Sequence, residues 1–229
     1  GERCMEKEVT VRPSLLSCDF LNLGKEIEEA ISLNIACLHY DVMDGSFVED
    51  ISFGEKIFAP LIKAYGDRIT FDVHLMVEHP LRHVERFAQL GARIISVHIE
   101  TLKLGDIATI HGLRSQYPDL KLGIALNPDT KVEEVTPWLP LFDFVLVMSV
   151  VPGKGGQAFI EGSQDKIAAF KKYKEEHSLT YEIEVDGGIN DKTGPLCLKT
   201  GCDYLVAGSF FYHSLDKSKA LVSLRGGLR

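Results

Sequence analysis

Five cysteines in 229 residues, none in a Cys-x-x-Cys pair, leave this chain without the spacing of a thiolate zinc site or an even disulfide framework. Cys4, Cys18, Cys37, Cys197 and Cys202 are scattered, as expected of reduced thiols in a reducing compartment. A basic surplus is missing as well. Lys and Arg number 25 against 33 Asp and Glu, a net charge of −8, which argues against nucleic acid or an anionic membrane as partner. Long hydrophobic runs are also absent. The longest nearly apolar stretch, 142–151, is interrupted by Asp143 and is too short to span a bilayer. Nothing at the start resembles a secretory signal, because Glu2, Arg3, Glu6, Lys7 and Glu8 precede the first apolar stretch. Together these absences predict a cytoplasmic protein whose partner is a small molecule. No linker, charge block or low-complexity segment divides the chain. A single domain is therefore expected over 9–229, with 1–8 as a flexible lead-in.

What the chain does have is an apolar fraction of 45%, enough for a large core, arranged in a repeating pattern. Short apolar runs at 9–15, 36–42, 69–76, 94–99, 121–126, 142–148, 182–186 and 204–207 read as strands. Between them lie stretches such as 21–34, 81–90, 163–177 and 191–200, whose apolar positions recur at helical spacing. Strands alternating with helices imply parallel pairing through crossovers, in either an open doubly wound sheet or a closed (β/α)8 TIM barrel. Polar residues decide between the two. Ser14, Asp41, His74, Glu100, Asn127, Ser149, Asp186 and Ser209 fall at or just past successive strand ends. A barrel brings all of these ends to one rim, whereas an open sheet spreads them along a line. The barrel is predicted.

Three strand-end segments carry the candidate chemistry. In HYDVMDG at 39–45, His39 and Asp41 are two apart and share one face of a strand. Burying both against helices would be costly, so they are expected in the rim pocket; a structural His–Asp pair is the plainer alternative. In DVHLMV at 72–77, His74 ends the neighbouring strand in the same style, although a lone strand-end histidine is often a core or capping residue. In EVDGG at 184–188, Asp186 precedes two glycines that let backbone amides approach a ligand, or it merely caps the turn. Two histidines and two carboxylates aimed at one pocket form a mixed nitrogen and oxygen site. Such a set suits one divalent metal ion (Zn, Mn, Fe(II) or Co) better than calcium or copper(I).

Glycine-rich turns follow strands six, seven and eight: PGKGGQ at 152–157, Gly187–Gly188, and Gly208 with Ser209. In many barrels the loops after strands seven and eight form a phosphate site. The first of these turns lacks the Walker A spacing, so a nucleotide triphosphatase is not expected. Met43, Met76 and Met148 sit at the ends of strands two, three and six, where they either fill the core or cover a reacting carbon.

The segments PSLLSCDF at 13–20, HYDVMDG at 39–45, DVHLMV at 72–77, EVDGG at 184–188 and VAGS at 206–209 resemble, in this order, those of the ribulose-phosphate 3-epimerases. The resemblance runs over most of the chain. It implies a barrel with a divalent metal held by His39, Asp41, His74 and Asp186. It further implies interconversion of D-ribulose 5-phosphate and D-xylulose 5-phosphate, a pentose phosphate pathway reaction, with Asp41 and Asp186 as the proton carriers on opposite faces of the sugar. Ser14, His74 and the three methionines would contact substrate. Gly155, Gly156, Gln157, Gly187, Gly188, Gly208 and Ser209 would line its phosphate end. Elementary chemistry agrees, because inverting a carbon beside a ketone needs a proton removed on one face and one returned on the other.

The chain departs from the family pattern in two loops. Where the family reads Asp-Gly-His-Phe-Val-Pro-Asn, this sequence has Ser46 in place of the histidine and Glu49 and Asp50 in place of Pro-Asn. Lys154 stands where the family has phenylalanine. These changes leave open a hexulose 6-phosphate such as allulose 6-phosphate as substrate. A third possibility is an idle barrel that only binds sugar phosphate, against which the complete set of His39, Asp41, His74 and Asp186 stands. Barrels of this kind often assemble into homo-oligomers, and the sequence alone sets no oligomeric state.

Overall fold

A computed structural model describes residues 6–153 and 156–227. Its eight strands are β1 (Val11–Pro13), β2 (Cys37–Met43), β3 (Thr70–Met76), β4 (Ile94–His98), β5 (Lys121–Leu126), β6 (Phe144–Met148), β7 (Glu182–Asp186) and β8 (Tyr204–Ala207). All pairings are parallel, in the order β1-β8-β7-β6-β5-β4-β3-β2. A parallel bridge between Ser14 and His39 joins the two ends and closes the barrel. Around it lie α1 (Leu23–Ser32), α2 (Glu55–Tyr65), α3 (Pro80–Gln89), α4 (Ile107–Gln116), α5 (Val132–Val135), α6 (Ser163–Glu176), α7 (Thr193–Thr200), α8 (Ser209–Tyr212) and α9 (Lys217–Leu224). This is the (β/α)8 barrel that the sequence predicts, in a single layer pair of strands and helices.

Period-two alternation sorts every strand into two faces. On β2, Leu38, Tyr40 and Val42 join the large apolar core between strands and helices, while His39, Asp41 and Met43 face the barrel interior. The interior is itself divided. Ala125, Phe144, Leu146 and Met148 of β5 and β6 form a compact apolar cluster. Arg12, His39, Asp72, His74, His98 and Glu184 of β1, β2, β3, β4 and β7 fill the remainder with buried polar groups. The apolar half gives the barrel a rigid wall, and the polar half carries the chemistry.

Two boundaries differ from the sequence reading. The first strand is only three residues long: Leu15 already begins a 3-10 turn (Leu15–Ser17), and Val9 is exposed. Glu8, expected in the lead-in, is instead buried and belongs to the barrel. Its carboxylate accepts hydrogen bonds from the amides of Thr10 and Val11 and pairs with Arg225. Among the described residues, Cys18, Cys37, Cys197 and Cys202 are free, buried thiols, and no helix is long and apolar enough to cross a membrane.

Candidate active site

Strands β2 and β3 pair in register, which sets Asp41 beside His74 and His39 beside Asp72. Asp186 ends β7 on the other side of the interior. Barrel curvature brings these ends together. His39 Nε2 lies 3.1 Å from Asp41 Oδ1, 3.3 Å from His74 Nδ1 and 3.4 Å from Asp186 Oδ2. His74 Nδ1 lies 3.2 Å from Asp41 Oδ1 and 3.6 Å from Asp186 Oδ2. Four donor atoms spaced so evenly surround one point, and a cation about 2.0–2.2 Å from each would produce spacings of this size. Two imidazole nitrogens and two carboxylate oxygens fit one divalent ion, with Zn, Mn, Fe(II) and Co equally suited to the set.

The outer nitrogen of each histidine is occupied. His39 Nδ1 is 2.9 Å from Asp72 Oδ2 and donates to it, which turns Nε2 toward the other donors. His74 Nε2 is 2.7 Å from His98 Nε2, and His98 Nδ1 is 2.9 Å from Glu100 Oε1. Burial pushes the His98 imidazole down to about 4, so it is neutral at physiological pH. Burial also works against the charged forms of His39 and Asp41, but each is outweighed by the other. Asp41 and Asp72 raise His39, while His39 and His74 hold Asp41 below the usual carboxylate range. Ser14 Oγ donates to Asp41 Oδ2 at 2.6 Å and fixes the remaining carboxylate oxygen.

A second acidic group, His39 with Asp72 and Glu184, lies deeper in the barrel. It has no use for a metal ion because Arg12 already supplies the positive charge, at 2.8 Å from Glu184 and 3.2 Å from Asp72. Burial and the neighbouring Asp72 charge raise Glu184 well above the ordinary range, whereas His39 and a Glu184 hydrogen bond keep Asp72 ionised against burial. These shifts favour the uncharged form of Glu184 beside an ionised Asp72. Neither this cluster nor His98 is singled out by the sequence. The available signal was a run of polar residues at alternate positions of β1, β3, β4 and β7, on the side away from the helices.

Above the four donors opens a cavity of about 540 Å³. Asp41, Asp186, Ser14, Met43, Met76 and Met148 line it, as do Gly156, Gln157, Gly187, Gly188, Gly208 and Ser209. Lys154 and Gly155 lie outside the described residues. His39 and His74 are fully buried and are not among the residues that line the cavity. The structure adds Asn190, Thr193 and His213 to the lining. Met43 and Met76 cluster with Val48, Leu16 and Phe47 over one side. Ser46, Glu49 and Asp50 are exposed and away from the cavity; the Ser46 and Phe47 amides donate to Asp44 Oδ1, which shapes the loop.

The two glycines after β7 are sterically required. Gly187 and Gly188 have φ of 128° and 65°, and a Cβ on Gly188 would come within 2.3 Å of the Phe159 amide nitrogen. The loop after β7 thus lies against the loop after β6, and both present backbone to the cavity.

The match to a family model, described as the ribulose-phosphate 3-epimerase family, spans residues 10–212. The chain belongs to the ribulose-phosphate 3-epimerase family. The ribulose-phosphate 3-epimerase of Bacillus subtilis is 41% identical over 219 residues, covering 95% of this chain and 99% of the relative. That of Synechocystis is 39% identical, covering 98% and 96%. The chloroplastic ribulose-5-phosphate-3-epimerase of Arabidopsis thaliana is 35% identical, covering 100% and 80%. Membership makes this chain an isomerase of the epimerase type acting on carbohydrates. Among solved structures, the 3-keto-L-gulonate-6-phosphate decarboxylase of Vibrio cholerae aligns with a TM-score of 0.69 at 13% identity, covering 96% of both chains. The 3-hexulose-6-phosphate synthase of Salmonella typhimurium aligns at 0.68 and 14%, covering 95% and 97%. These two share the fold.

Proposed function

We propose that this epimerase interconverts D-ribulose 5-phosphate and D-xylulose 5-phosphate, with Asp41 and Asp186 as its two proton carriers. One observation carries the assignment: the two carboxylates come from strands on different sides of the interior, line one cavity, and meet the same His39 nitrogen at 3.1 and 3.4 Å. One carboxylate takes the proton from C3, and the C3–H electron pair moves into the C2–C3 bond as the C2 carbonyl becomes an enediolate oxygen. The other carboxyl returns a proton to the opposite face of C3. His39, Asp41, His74 and Asp186 would hold one divalent metal ion, whose positive charge would stabilise the enediolate. Ser14 keeps Asp41 oriented through its 2.6 Å hydrogen bond. Gly156, Gln157, Gly187, Gly188, Gly208 and Ser209 receive the phosphate, with the backbone of the two post-β7 glycines turned to the cavity. Met43, Met76 and Met148 provide the apolar cover.

The loop departures at Ser46, Glu49 and Asp50 lie on the surface, which favours the pentulose over a hexulose 6-phosphate. The decisive experiment is turnover in deuterated water. Deuterium enters at C3 of D-ribulose 5-phosphate if the proton-transfer assignment holds. Conversion to D-xylulose 5-phosphate without deuterium at C3 sinks the mechanism, and equal turnover of allulose 6-phosphate removes the claim of pentulose preference.

A further inference from the structure

We infer that His98 and Glu100 are positioning residues that orient His74 and hold its proton on Nε2, leaving Nδ1 free to bind the metal ion. The inference rests on the proposed ligand set and extends it to two residues that touch neither the cavity nor the four donors' common point.

The geometry is a chain of directed hydrogen bonds. Glu100 Oε1 lies 2.9 Å from His98 Nδ1, and a carboxylate oxygen accepts, so His98 carries its proton on Nδ1. With its donor committed to Glu100, the ring presents Nε2 as its acceptor. That atom meets His74 Nε2 at 2.7 Å, so His74 is the donor there. Its second nitrogen, Nδ1, is left with a lone pair, and it is this atom that faces Asp41, His39 and Asp186. The opposite arrangement would put a proton on Nδ1 and block coordination.

Every link is braced. His98 ends β4 with no exposed surface, its ring within 20° of coplanar with that of His74 and covered by Phe47 at 4.9 Å between centroids. Glu100 is held by its other oxygen, which accepts from the Asn127 amide at 3.0 Å and from Thr130 Oγ1 at 2.5 Å. The 127–130 loop is pinned in turn by Lys166 of α6, whose Nζ donates to the carbonyls of Pro128 and Thr130 at 2.6 Å. His39 is oriented by Asp72 directly; His74 is oriented by Glu100 through one intervening imidazole. Two carboxylates thus lock the two histidines independently.

Cobalt(II) is the test probe, added to metal-free enzyme, with affinity read by chelator competition and ligand geometry by the visible absorption bands. His98→Phe keeps a ring under Phe47 but removes the acceptor for His74. Its cobalt affinity should fall about 10- to 100-fold with shifted bands. Glu100→Gln, an isosteric change at the barrel rim, should shift the same bands with a smaller loss. In both, kcat should drop while KM for the sugar phosphate stays near wild type, because neither residue lines the cavity. Wild-type affinity and bands in Glu100→Gln and in folded His98→Phe overturn the inference while leaving the metal site standing. Should His74→Ala bind cobalt like wild type, the ligand set fails and the inference with it. If His98→Phe does not fold, Glu100→Gln decides alone.

Discussion

Asp186 differs from the other three donors in its exposure. Its side chain keeps 18% of its surface, against 0% for His39 and His74 and 4% for Asp41. A carboxylate with access to both the donors and the cavity can exchange a proton with substrate. Asp186→Asn is therefore expected to lower kcat by at least about a hundredfold, measured by coupled epimerase assay, with the barrel intact by circular dichroism. Turnover within a few fold of wild type would remove Asp186 as a proton carrier. Gly188 makes a purely steric case. Gly188→Ala places a methyl against the Phe159 amide at a positive φ, so more than about 1 kcal/mol of stability and a rise in KM are expected by urea unfolding and steady-state kinetics. The strand-end aspartates and the glycine pair were legible in the sequence because alternation and turn chemistry are local. His98 was not, since nothing near it in sequence shows that a histidine two residues before a glutamate stands behind His74.

At the scale of the element, the β2–β3 pair supplies three of the four donors, and its register alone sets Asp41 beside His74. A one-residue slip would turn His39 and Asp41 into the helix-facing core. A second pair, β5 and β6, is tied by Asp143 just before β6. Asp143 accepts from the Leu122 amide at 2.8 Å and from Arg114 of α4 at 2.6 and 3.0 Å. Burial opposes its charge, but Arg114 and the amide outweigh burial and hold the carboxyl below its usual range. With the folded value lowered, the unfolded chain binds more protons as pH falls. This contribution is thus present above about pH 4 and lost as pH drops through the folded value. Asp143→Asn should be less stable than wild type near neutrality and show a flatter loss of stability below about pH 4, read from urea midpoints against pH. An unchanged acid slope would show that Asp143 adds nothing. The sequence reading began this strand at 142; Asp143 is instead the residue that anchors it.

Across the whole molecule, Arg12 of β1 reaches Asp72 of β3 and Glu184 of β7, spanning the barrel beneath the donor cluster, with its guanidinium 3.7 Å over the Tyr204 ring. Removing one member of a buried ion pair leaves the other uncompensated. Arg12→Met is expected to cost about 3–5 kcal/mol in chemical denaturation. Glu184→Gln should cost far less, because burial and the Asp72 charge favour the uncharged form of Glu184. Equal losses for the two variants would contradict that proton placement. By itself the sequence determined the barrel, the family, the four donors and most of the glycine backbone around the cavity. Strand alternation, helix periodicity and turn residues are local properties that survive without knowledge of contacts. Only the tertiary structure decided which nitrogen of each histidine faces the donors, that Arg12 fills the lower cluster, and that Ser46, Glu49 and Asp50 do not line the cavity. These depend on distances between strands remote in sequence, and those distances exist only once curvature closes the sheet.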